Sequence, residues 1–266
     1  MADFITVTDD LGREIQIPFP PQRIISAVPS TTEFLFDLEL DNKVISRTRF
    51  CRYPENKIER LPNIGGTKNL YADKIKLLNP DLILANEEEN NKAQIEALME
   101  LYPVYVSKVR NFEDALSNIL KTGKITDSEP KAFEIANNIR SEFAKLPKRD
   151  QKIKVLYLIW KNPYMCVAKD TFINSMMEMC GFENIIEESE ERYPILNEEQ
   201  IQALNPELIL LSSEPFPFSD VNKTEFQKIL PNAKIELVDG EMFSWYESHL
   251  QKASKYFTSL IDKIQL

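Results

Sequence analysis

The sequence predicts an α/β protein of two Rossmann-like lobes with parallel sheets, joined by one long rigid helix. The first observation is an internal repeat, since DKIKLLNPDLILA (73–85) and EQIQALNPELILL (199–211) share acid, apolar and Asn-Pro positions. The second is that short apolar strands alternate with helical segments in both halves. The third is a long, charged helical segment between the two copies.

Each copy of the repeat has the pattern of a helix, a tight turn and a buried strand. In the first copy, Ile75, Leu77 and Leu78 recur at helical spacing and predict one apolar helix face. The Asn-Pro step then ends the helix, because the residue before proline is disfavoured in the α region. The Leu-Ile-Leu run suits a strand that is buried on both faces of a parallel sheet.

The chain begins with a predicted β-hairpin, FITVTDDLGREIQI, whose turn lies at residues 10–12. The strand IISAV follows, and then the helix STTEFLFDL. Ser30 is the expected N-cap of this helix, and Glu33 occupies the capping-box position. KVISRT is a second strand, whereas residues 49–71 have turn chemistry without periodicity and predict an ordered loop.

A helix around residues 92–100, the strand VYVS and a helix from Asn111 onward complete a first lobe, assigned to residues 1–126. The segment SEPKAFEIANNIRSEFAKL then places apolar residues at helical spacing. Ser128 is its candidate N-cap, and a proline is tolerated in the first turn. We therefore expect a linking helix over residues 127–149, which makes a stiffer joint than a Gly/Ser linker.

The second lobe, residues 150–266, starts with the strand KIKVLYLIW and the helix TFINSMMEMC. Gly181 is expected to end that helix as its C′ glycine. The repeat, the polar and aromatic loop SSEPFPFSD, the helix TEFQKIL and the strand KIELVD follow. A final helix is predicted from about Ser244 to Ile264, and it includes His249, the only histidine of the chain.

Composition and charge exclude several functions. The net charge of −10, without any basic cluster, excludes a nucleic-acid partner. No apolar run is long enough to insert into a membrane. The three cysteines have no metal-like spacing and there is a single histidine, so we predict no metal site. No Gly-rich phosphate loop or catalytic triad is found, so we predict no cofactor, no catalytic residue and no enzyme.

The candidate ligand contacts follow the predicted strands, because ligands of open parallel α/β sheets bind beyond the carboxyl ends of the strands. Both tryptophans and many other aromatic residues follow strands of the second half. Aromatic faces with a few charged groups suit a large, partly flat ligand with a polar rim. The alternative for each ring is that it only closes a sheet end or fills the expected interface between the lobes. The predicted contacts are Thr67, Lys68, Asn69, Glu88, Trp160, Tyr164, Arg192, Tyr193, Glu214, Phe216, Phe243, Trp245 and Tyr246.

These features resemble a known family over nearly the whole chain. Two α/β lobes, a linking helix and the NPDLIL/NPELIL repeat are similar to the substrate-binding proteins of ABC importers for vitamin B12, siderophores and haem. That group is also described as helical-backbone metal receptors, with a class III periplasmic-binding-protein fold. The opening VTDDLGREIQIPFPPQRIISAVPSTTEFLFDL is similar as well. The stretches GGTKN, TFINSMMEMCGFENI and DGEMFSWYESHL look closest to the cobalamin-binding branch.

The resemblance implies a monomeric receptor that holds a cobalt- or iron-containing chelate between its lobes and delivers it to an ABC permease. A cobalamin-like corrinoid is favoured, because a negative cleft disfavours anionic ferric siderophores, although Lys68 and Arg192 offset part of this charge. The alternative is a siderophore or haem receptor. The resemblance also implies that one acid on each repeat helix, Asp73 and Glu199, meets basic residues of the permease. The alternative is that these are ordinary acids favoured by the helix dipole.

The sequence leaves alternatives open for the location of the protein and for catalysis. The resemblance implies the periplasm or cell envelope, whereas the first residues lack the basic and apolar regions of a secretory signal, so a cytoplasmic location stays open. The carboxylates Glu87, Glu88, Glu214 and Glu241 after the strands also leave open a cytosolic enzyme or a sensor on the same two-lobe frame. An enzyme would need a carboxylate pair with a raised pKa.

Overall fold

The computed structural model describes residues 3–186 and 189–264. The chain divides into two compact units, and the chain passes between them more than once. The first unit holds the residues up to Val109, with Glu113–Arg140 and Tyr246–His249. The second unit holds Arg110–Phe112, Ser141–Trp245 and the residues from Leu250 onward.

The first unit is built on a small parallel sheet. Its strands are β1 (Asp3–Thr8), β2 (Glu14–Phe19), β3 (Ile24–Ser26), β4 (Gly65–Gly66), β5 (Asn69–Leu70), β6 (Leu82–Asn86) and β7 (Val104–Ser107). The helices that begin before residue 130 are α1 (Pro29–Asp37), α2 (Glu55–Ile58), α3 (Ala72–Leu78), α4 (Lys92–Met99), α5 (Phe112–Ile125) and α6 (Glu129–Phe143). The parallel sheet has the order β3-β6-β7. Every residue of β6 is buried, as expected for a strand covered on both faces.

The opening hairpin is confirmed, since β1 and β2 pair antiparallel and Gly12 takes a positive φ of 79° in the turn between them. The predicted N-cap is wrong. Helix α1 begins at Pro29 with Val28 as its cap, so Ser30 lies inside the first turn. Glu33 does not complete a capping box, because its carboxylate lies against His249. The loop predicted over residues 49–71 contains α2 and the short β4–β5 pair.

The second unit is built on a larger, mostly parallel sheet. Its strands are β8 (Ile153–Trp160), β9 (Tyr164–Cys166), β10 (Phe182–Asn184), β11 (Ile195–Leu196), β12 (Leu208–Ser212) and β13 (Lys234–Val238). Its helices are α7 (Phe172–Met179), α8 (Glu198–Leu204), α9 (Asp220–Ile229), α10 (Gly240–Ser244) and α11 (Leu250–Lys263). The order is β11-β9-β8-β12-β13, with β10 also paired to β8. Strands β8, β10, β12 and β13 are parallel, so the predicted α/β class with two lobes and parallel sheets is confirmed.

The two copies of the repeat end their helices in the same way. Asn79 after α3 has a φ of 44°, and Asn205 after α8 has a φ of 46°. Asparagine tolerates this left-handed conformation better than most residues, so it acts as the helix stop in front of the proline. Ile75 is fully buried as predicted, whereas Leu77 is 85% exposed and does not belong to the apolar face of α3.

The predicted final helix is interrupted. Trp245 is extended after α10, Glu247 has a φ of 65°, and a 3-10 turn covers Glu247–His249 before α11 begins. The predicted C′ glycine is confirmed, because Gly181 follows α7 with a φ of 74°. Within the described ranges, none of the helices has both the length and the apolar character needed to cross a bilayer.

Candidate functional site

An aromatic cluster lies at the carboxyl edge of the second unit's sheet. Trp160 ends β8, and the loop after β12 carries Phe216 and Phe218. The ring of Trp160 packs edge-on against Phe216 at 5.7 Å between centroids, and Phe216 packs edge-on against Phe218 at 4.8 Å. The Phe216 N–H donates to the Ile159 carbonyl at 3.2 Å, which fixes the loop beside β8. Trp160 keeps 39% of its surface exposed, so the cluster offers a ring to solvent.

The loop after β13 is joined to the same edge. The Glu214 carboxylate accepts hydrogen bonds from Ser244 Oγ at 2.8 Å and from Trp245 Nε1 at 3.2 Å. Phe243 is fully buried and packs against Tyr157 and Phe257, at 5.2 and 4.8 Å. Phe243 was predicted as a ligand contact, but it lies in the core, so Trp160 is the more accessible ring of this edge.

Three further predicted contacts lie on and beside the β9–β11 pair, and all are half-buried. Tyr164 packs against Phe226 at 5.2 Å, and its hydroxyl donates to Glu198 at 3.4 Å. Desolvation and the neighbouring Glu198 carboxylate raise the pKa of the Tyr164 phenol. Arg192, beside Tyr193, donates from Nε to the Asp170 main-chain oxygen at 2.6 Å.

An ion pair beside Arg192 was not predicted from the sequence. The Asp170 carboxylate accepts a hydrogen bond from Arg110 Nη1 at 2.7 Å, while Arg192 holds the main chain of the same residue. Arg110 lies between β7 and α5, and Asp170 lies in the loop before α7. These residues are distant in sequence, and no local pattern marks them as partners.

The carboxyl edge of the first unit's sheet is polar. The amide of buried Asn90 donates to the carbonyls of Ala27 and Thr67, each at 3.0 Å. Its Oδ1 accepts from the Asn86 N–H at 2.9 Å. A single side chain therefore ties the end of β6 to the segment after β3 and to the β4–β5 turn. Asn90 was not predicted from the sequence. The available signal was the segment ANEEEN, in which asparagines directly follow a buried apolar strand.

The structure brings several predicted contacts of the first unit together at this edge. Lys68 Nζ donates to the Glu88 main-chain oxygen, and the Thr67 carbonyl is held by Asn90. Lys68 and Asn69 are exposed, Glu88 is half-buried, and Thr67 is buried. Lys68 and Asn69 are thus the most accessible of these side chains.

Residues 246–249 form a buried polar turn in the first unit. Tyr246 is 5% exposed, and burial, with the charges of Glu247, Glu89 and Glu88, raises the pKa of its phenol. The fully buried Glu247 carboxylate accepts from Asn118 Nδ2 at 2.9 Å and from Thr31 Oγ1 at 3.2 Å.

Burial also governs the ionisation of this turn. Desolvation raises the pKa of Glu247 to about 8 against the hydrogen bonds that favour its charged form. His249 Nδ1 lies 2.7 Å from Glu33 Oε2, and the ring of Tyr53 lies 5.9 Å from the imidazole. The lone histidine is therefore a buried partner of an acid that is far away in sequence.

The two acids of the repeat occupy equivalent places. Asp73 lies in the first turn of α3 and Glu199 in the first turn of α8, and both are exposed. Among the residues that the structure describes, no group of three or more His, Cys, Asp or Glu side chains could hold a metal ion. Cys51, Cys166 and Cys180 are buried free thiols, and burial raises the pKa of Cys166 to about 12.

Comparison with known proteins gives consistent matches. The profile of the family described as periplasmic binding protein matches residues 24–236. A vitamin B12-binding protein of Vibrio parahaemolyticus is 27% identical over 199 residues, which are 73% of this chain and 71% of that protein. The periplasmic haem-binding protein HutB of Vibrio cholerae has a TM-score of 0.73 at 22% identity, covering 90% of this chain and 98% of that one.

A further solved structure is similar over almost the whole chain. The petrobactin-binding protein YclQ of Bacillus subtilis has a TM-score of 0.79 at 16% identity and covers 99% of both chains. At identities below 25%, these two structural similarities establish a shared fold. The ligands in the names of these relatives differ, since they are vitamin B12, haem and petrobactin.

Proposed function

Because this chain belongs to the periplasmic binding protein family, we propose that it captures a metal-chelate ligand, in the first place a cobalamin-like corrinoid, and delivers it to an ABC permease. The family consists of transport binding proteins rather than enzymes, so the cytosolic enzyme considered from the sequence is set aside. The corrinoid is preferred because the matched curated relatives include several vitamin B12-binding proteins.

The observation that carries the proposal is the aromatic cluster at the carboxyl edge of the second unit's sheet. Edges of this kind are where open parallel sheets bind ligands. Trp160 is partly exposed there and packs against Phe216, which in turn packs against Phe218. A large apolar ring system loses water against such rings, and each aromatic contact adds about 0.5–1.5 kcal/mol beyond the area it buries.

The charge of the chain supports a ligand that is not strongly anionic. The net charge of −10 repels ferric siderophores that carry several negative charges. A corrinoid avoids this repulsion. Haem and siderophores remain the second candidates, since structurally similar proteins are described as binding haem and petrobactin.

For the partner, we propose that Asp73 and Glu199 contact basic residues of the permease. Both acids are exposed, and each lies in the first turn of the helix of its own repeat copy. Reversing their charge, with Asp73→Lys and Glu199→Lys, is expected to abolish uptake of radiolabelled cyanocobalamin by cells that depend on this receptor, while its affinity for cyanocobalamin in solution stays unchanged. Normal uptake by the double variant contradicts the docking role. The cell envelope is the proposed location, because such a partner spans the membrane.

The ligand proposal is tested by a thermal-shift panel of cyanocobalamin, haemin, a ferric catecholate and a ferric hydroxamate. At 100 times the dissociation constant a ligand stabilises the folded state by about 2.7 kcal/mol. For a chain of this size that raises Tm by roughly 5–10 °C. We expect the largest rise with cyanocobalamin. A rise with haemin or a siderophore alone would reassign the ligand, and no rise with any of the four contradicts the proposal.

A further inference from the structure

Glu214 joins two loops of the second unit through one carboxylate oxygen. Its Oε1 accepts from Ser244 Oγ at 2.8 Å and from Trp245 Nε1 at 3.2 Å. Glu214 lies in the loop after β12, whereas Ser244 ends α10 and Trp245 follows it. Hydrogen bonds to an ionised acceptor are stronger than those between neutral groups. The side chain of Trp245 is therefore held from the neighbouring loop.

The approach of these two loops depends on Gly240. A Cβ at this position would lie 2.4 Å from Ser212 Oγ and 2.6 Å from Glu214 Cγ, closer than real Cβ atoms come. The Gly240 N–H donates to Ser213 Oγ at 2.9 Å. Ser212 Oγ donates to the Glu214 carbonyl at 2.6 Å. The main chain of Glu214 is thus held by a contact other than the one with Trp245.

This geometry decides what Trp245 can offer. The indole has a single N–H and no acceptor, and here that N–H is donated to Glu214. Trp245 therefore cannot donate a hydrogen bond to a ligand without giving up Glu214. Its remaining contribution is the surface of its ring. Only a small part of that surface is accessible, because the residue is 9% exposed.

We infer that Glu214 is a positioning residue, which orients Trp245 and makes this part of the edge select flat apolar ligand surfaces rather than hydrogen-bond acceptors. The inference rests on the proposed function, and it changes the role predicted for Glu214 from the sequence. Glu214 acts through Trp245, whose indole N–H donates to its Oε1.

The orientation of Trp245 is measured first without any ligand. The chain has two tryptophans, so Trp160→Phe leaves Trp245 as the only indole. In that background, Glu214→Ala is expected to raise the acrylamide quenching constant of Trp245 at least about twofold, since the indole loses its acceptor. Glu214→Gln keeps an uncharged oxygen acceptor and is expected to give a smaller rise. Glu183→Ala, an exposed glutamate on β10, is the matched control and should leave quenching unchanged.

Ligand binding is measured second, in the chain with Trp160 intact, by calorimetric titration with cyanocobalamin. Glu214→Ala is expected to weaken binding about tenfold, the size of one lost charge-assisted hydrogen bond. Trp245→Phe keeps a ring without the N–H, and in that background Glu214→Ala should have no further effect. A positioning role predicts this non-additivity, whereas a direct contact between Glu214 and the ligand predicts additive losses.

The outcomes separate this inference from the proposed function. Unchanged quenching in both Glu214 variants overturns the inference, whatever the ligand. Additive losses with Trp245→Phe overturn it as well. If the wild-type protein binds no cyanocobalamin, the ligand proposal fails, while the quenching series still decides whether Glu214 orients Trp245. Should Glu214→Ala not fold, Glu214→Gln, checked by circular dichroism, carries the same two tests.

Discussion

The carboxyl edges of the two sheets share a backbone plan and differ in chemistry. In the first unit, Asn90 and Asn86 tie the loops together through amide hydrogen bonds. In the second unit, Trp160, Phe216 and Phe218 fill the corresponding place with rings. Both edges follow strands of the same repeat, and both repeat helices end at a left-handed asparagine. The duplicated frame thus determines where the loops emerge, and the loop residues determine the chemistry of each edge.

The largest effect on the free energy of unfolding is expected at Glu247, in the buried polar turn of the first unit. The folded chain holds this carboxyl with a pKa of about 8, against 4.5 for the ordinary group. Between these values the folded state binds more protons than the unfolded state, so the free energy of unfolding falls as pH rises from about 4.5 to 8. Each unit of pKa corresponds to about 1.36 kcal/mol, so the expected effect is several kcal/mol.

Glu247→Gln removes this titration and keeps a group of the same shape. The variant is expected to be more stable than the wild-type protein at pH 8, with a flatter stability profile in urea unfolding between pH 5 and 8. Glu33, His249, Tyr246, Glu88 and Glu89 lie in or beside the turn in both proteins, so the difference between the profiles isolates Glu247. Glu199→Gln, at an exposed position, is the control. Identical profiles for wild type and Glu247→Gln contradict the assignment.

The amide network of the first unit is tested by Asn90→Ala. The substitution leaves the carbonyls of Ala27 and Thr67 and the Asn86 N–H without their partner in a buried place. Unsatisfied buried groups cost about 1–3 kcal/mol each, so we expect a loss of about 3 kcal/mol in the free energy of unfolding. Asn232→Ala, at an exposed position, should cost less than about 0.5 kcal/mol. A loss for Asn90→Ala as small as that of the control shows that the network does not hold the loops.

The aromatic edge of the second unit is tested by Trp160→Ala. This change removes the exposed ring of the cluster, and we expect cyanocobalamin affinity to fall about thirtyfold, or roughly 2 kcal/mol. Phe4→Ala removes a ring that is 61% exposed on β1 and serves as the control for losing any exposed aromatic residue. Calorimetric titration checks both variants. Equal affinities for wild type and Trp160→Ala place the ligand elsewhere.

The smallest effect is expected for Lys68→Ala in the first unit. The exposed ammonium reaches one main-chain carbonyl, that of Glu88, in water. Exposed polar contacts of this kind contribute little, so the free energy of unfolding should change by less than about 0.5 kcal/mol and cyanocobalamin affinity by less than about threefold. A loss in affinity larger than that of Trp160→Ala would reverse the comparison and make the polar edge the main binding surface.

Local sequence pattern was sufficient to predict the order of strands, turns and helices in the repeat and in the opening hairpin. The hairpin turn at Gly12, the buried Leu-Ile-Leu strands and the asparagine stops follow from turn chemistry and apolar runs, which act over a few residues. The helix predicted from about Ser244 to Ile264 begins only at Leu250, because burial of Glu247 and His249 against distant residues outweighs helical periodicity. Local periodicity says nothing about such partners.

The sequence predicted which types of residue lie at the candidate site, but it did not predict which of them are exposed and which are buried. The aromatic residues were found because they follow strands, yet the sequence could not show that Phe243 is fully buried while Trp160 is exposed. That difference depends on packing between α10, α11 and β8. Asn90 and the Asp170–Arg110 pair were missed for the same reason, since their partners lie far away along the chain.

The most direct test of whether the aromatic sheet edge binds a corrinoid is equilibrium dialysis of the purified protein against cyanocobalamin. The wild-type protein and the Trp160→Ala variant are measured in parallel, and saturable binding is the readout. We predict one site per chain for the wild-type protein and a clearly weaker site for the variant, with both proteins folded by circular dichroism. Folded wild-type protein that retains no cyanocobalamin at millimolar concentration contradicts the account.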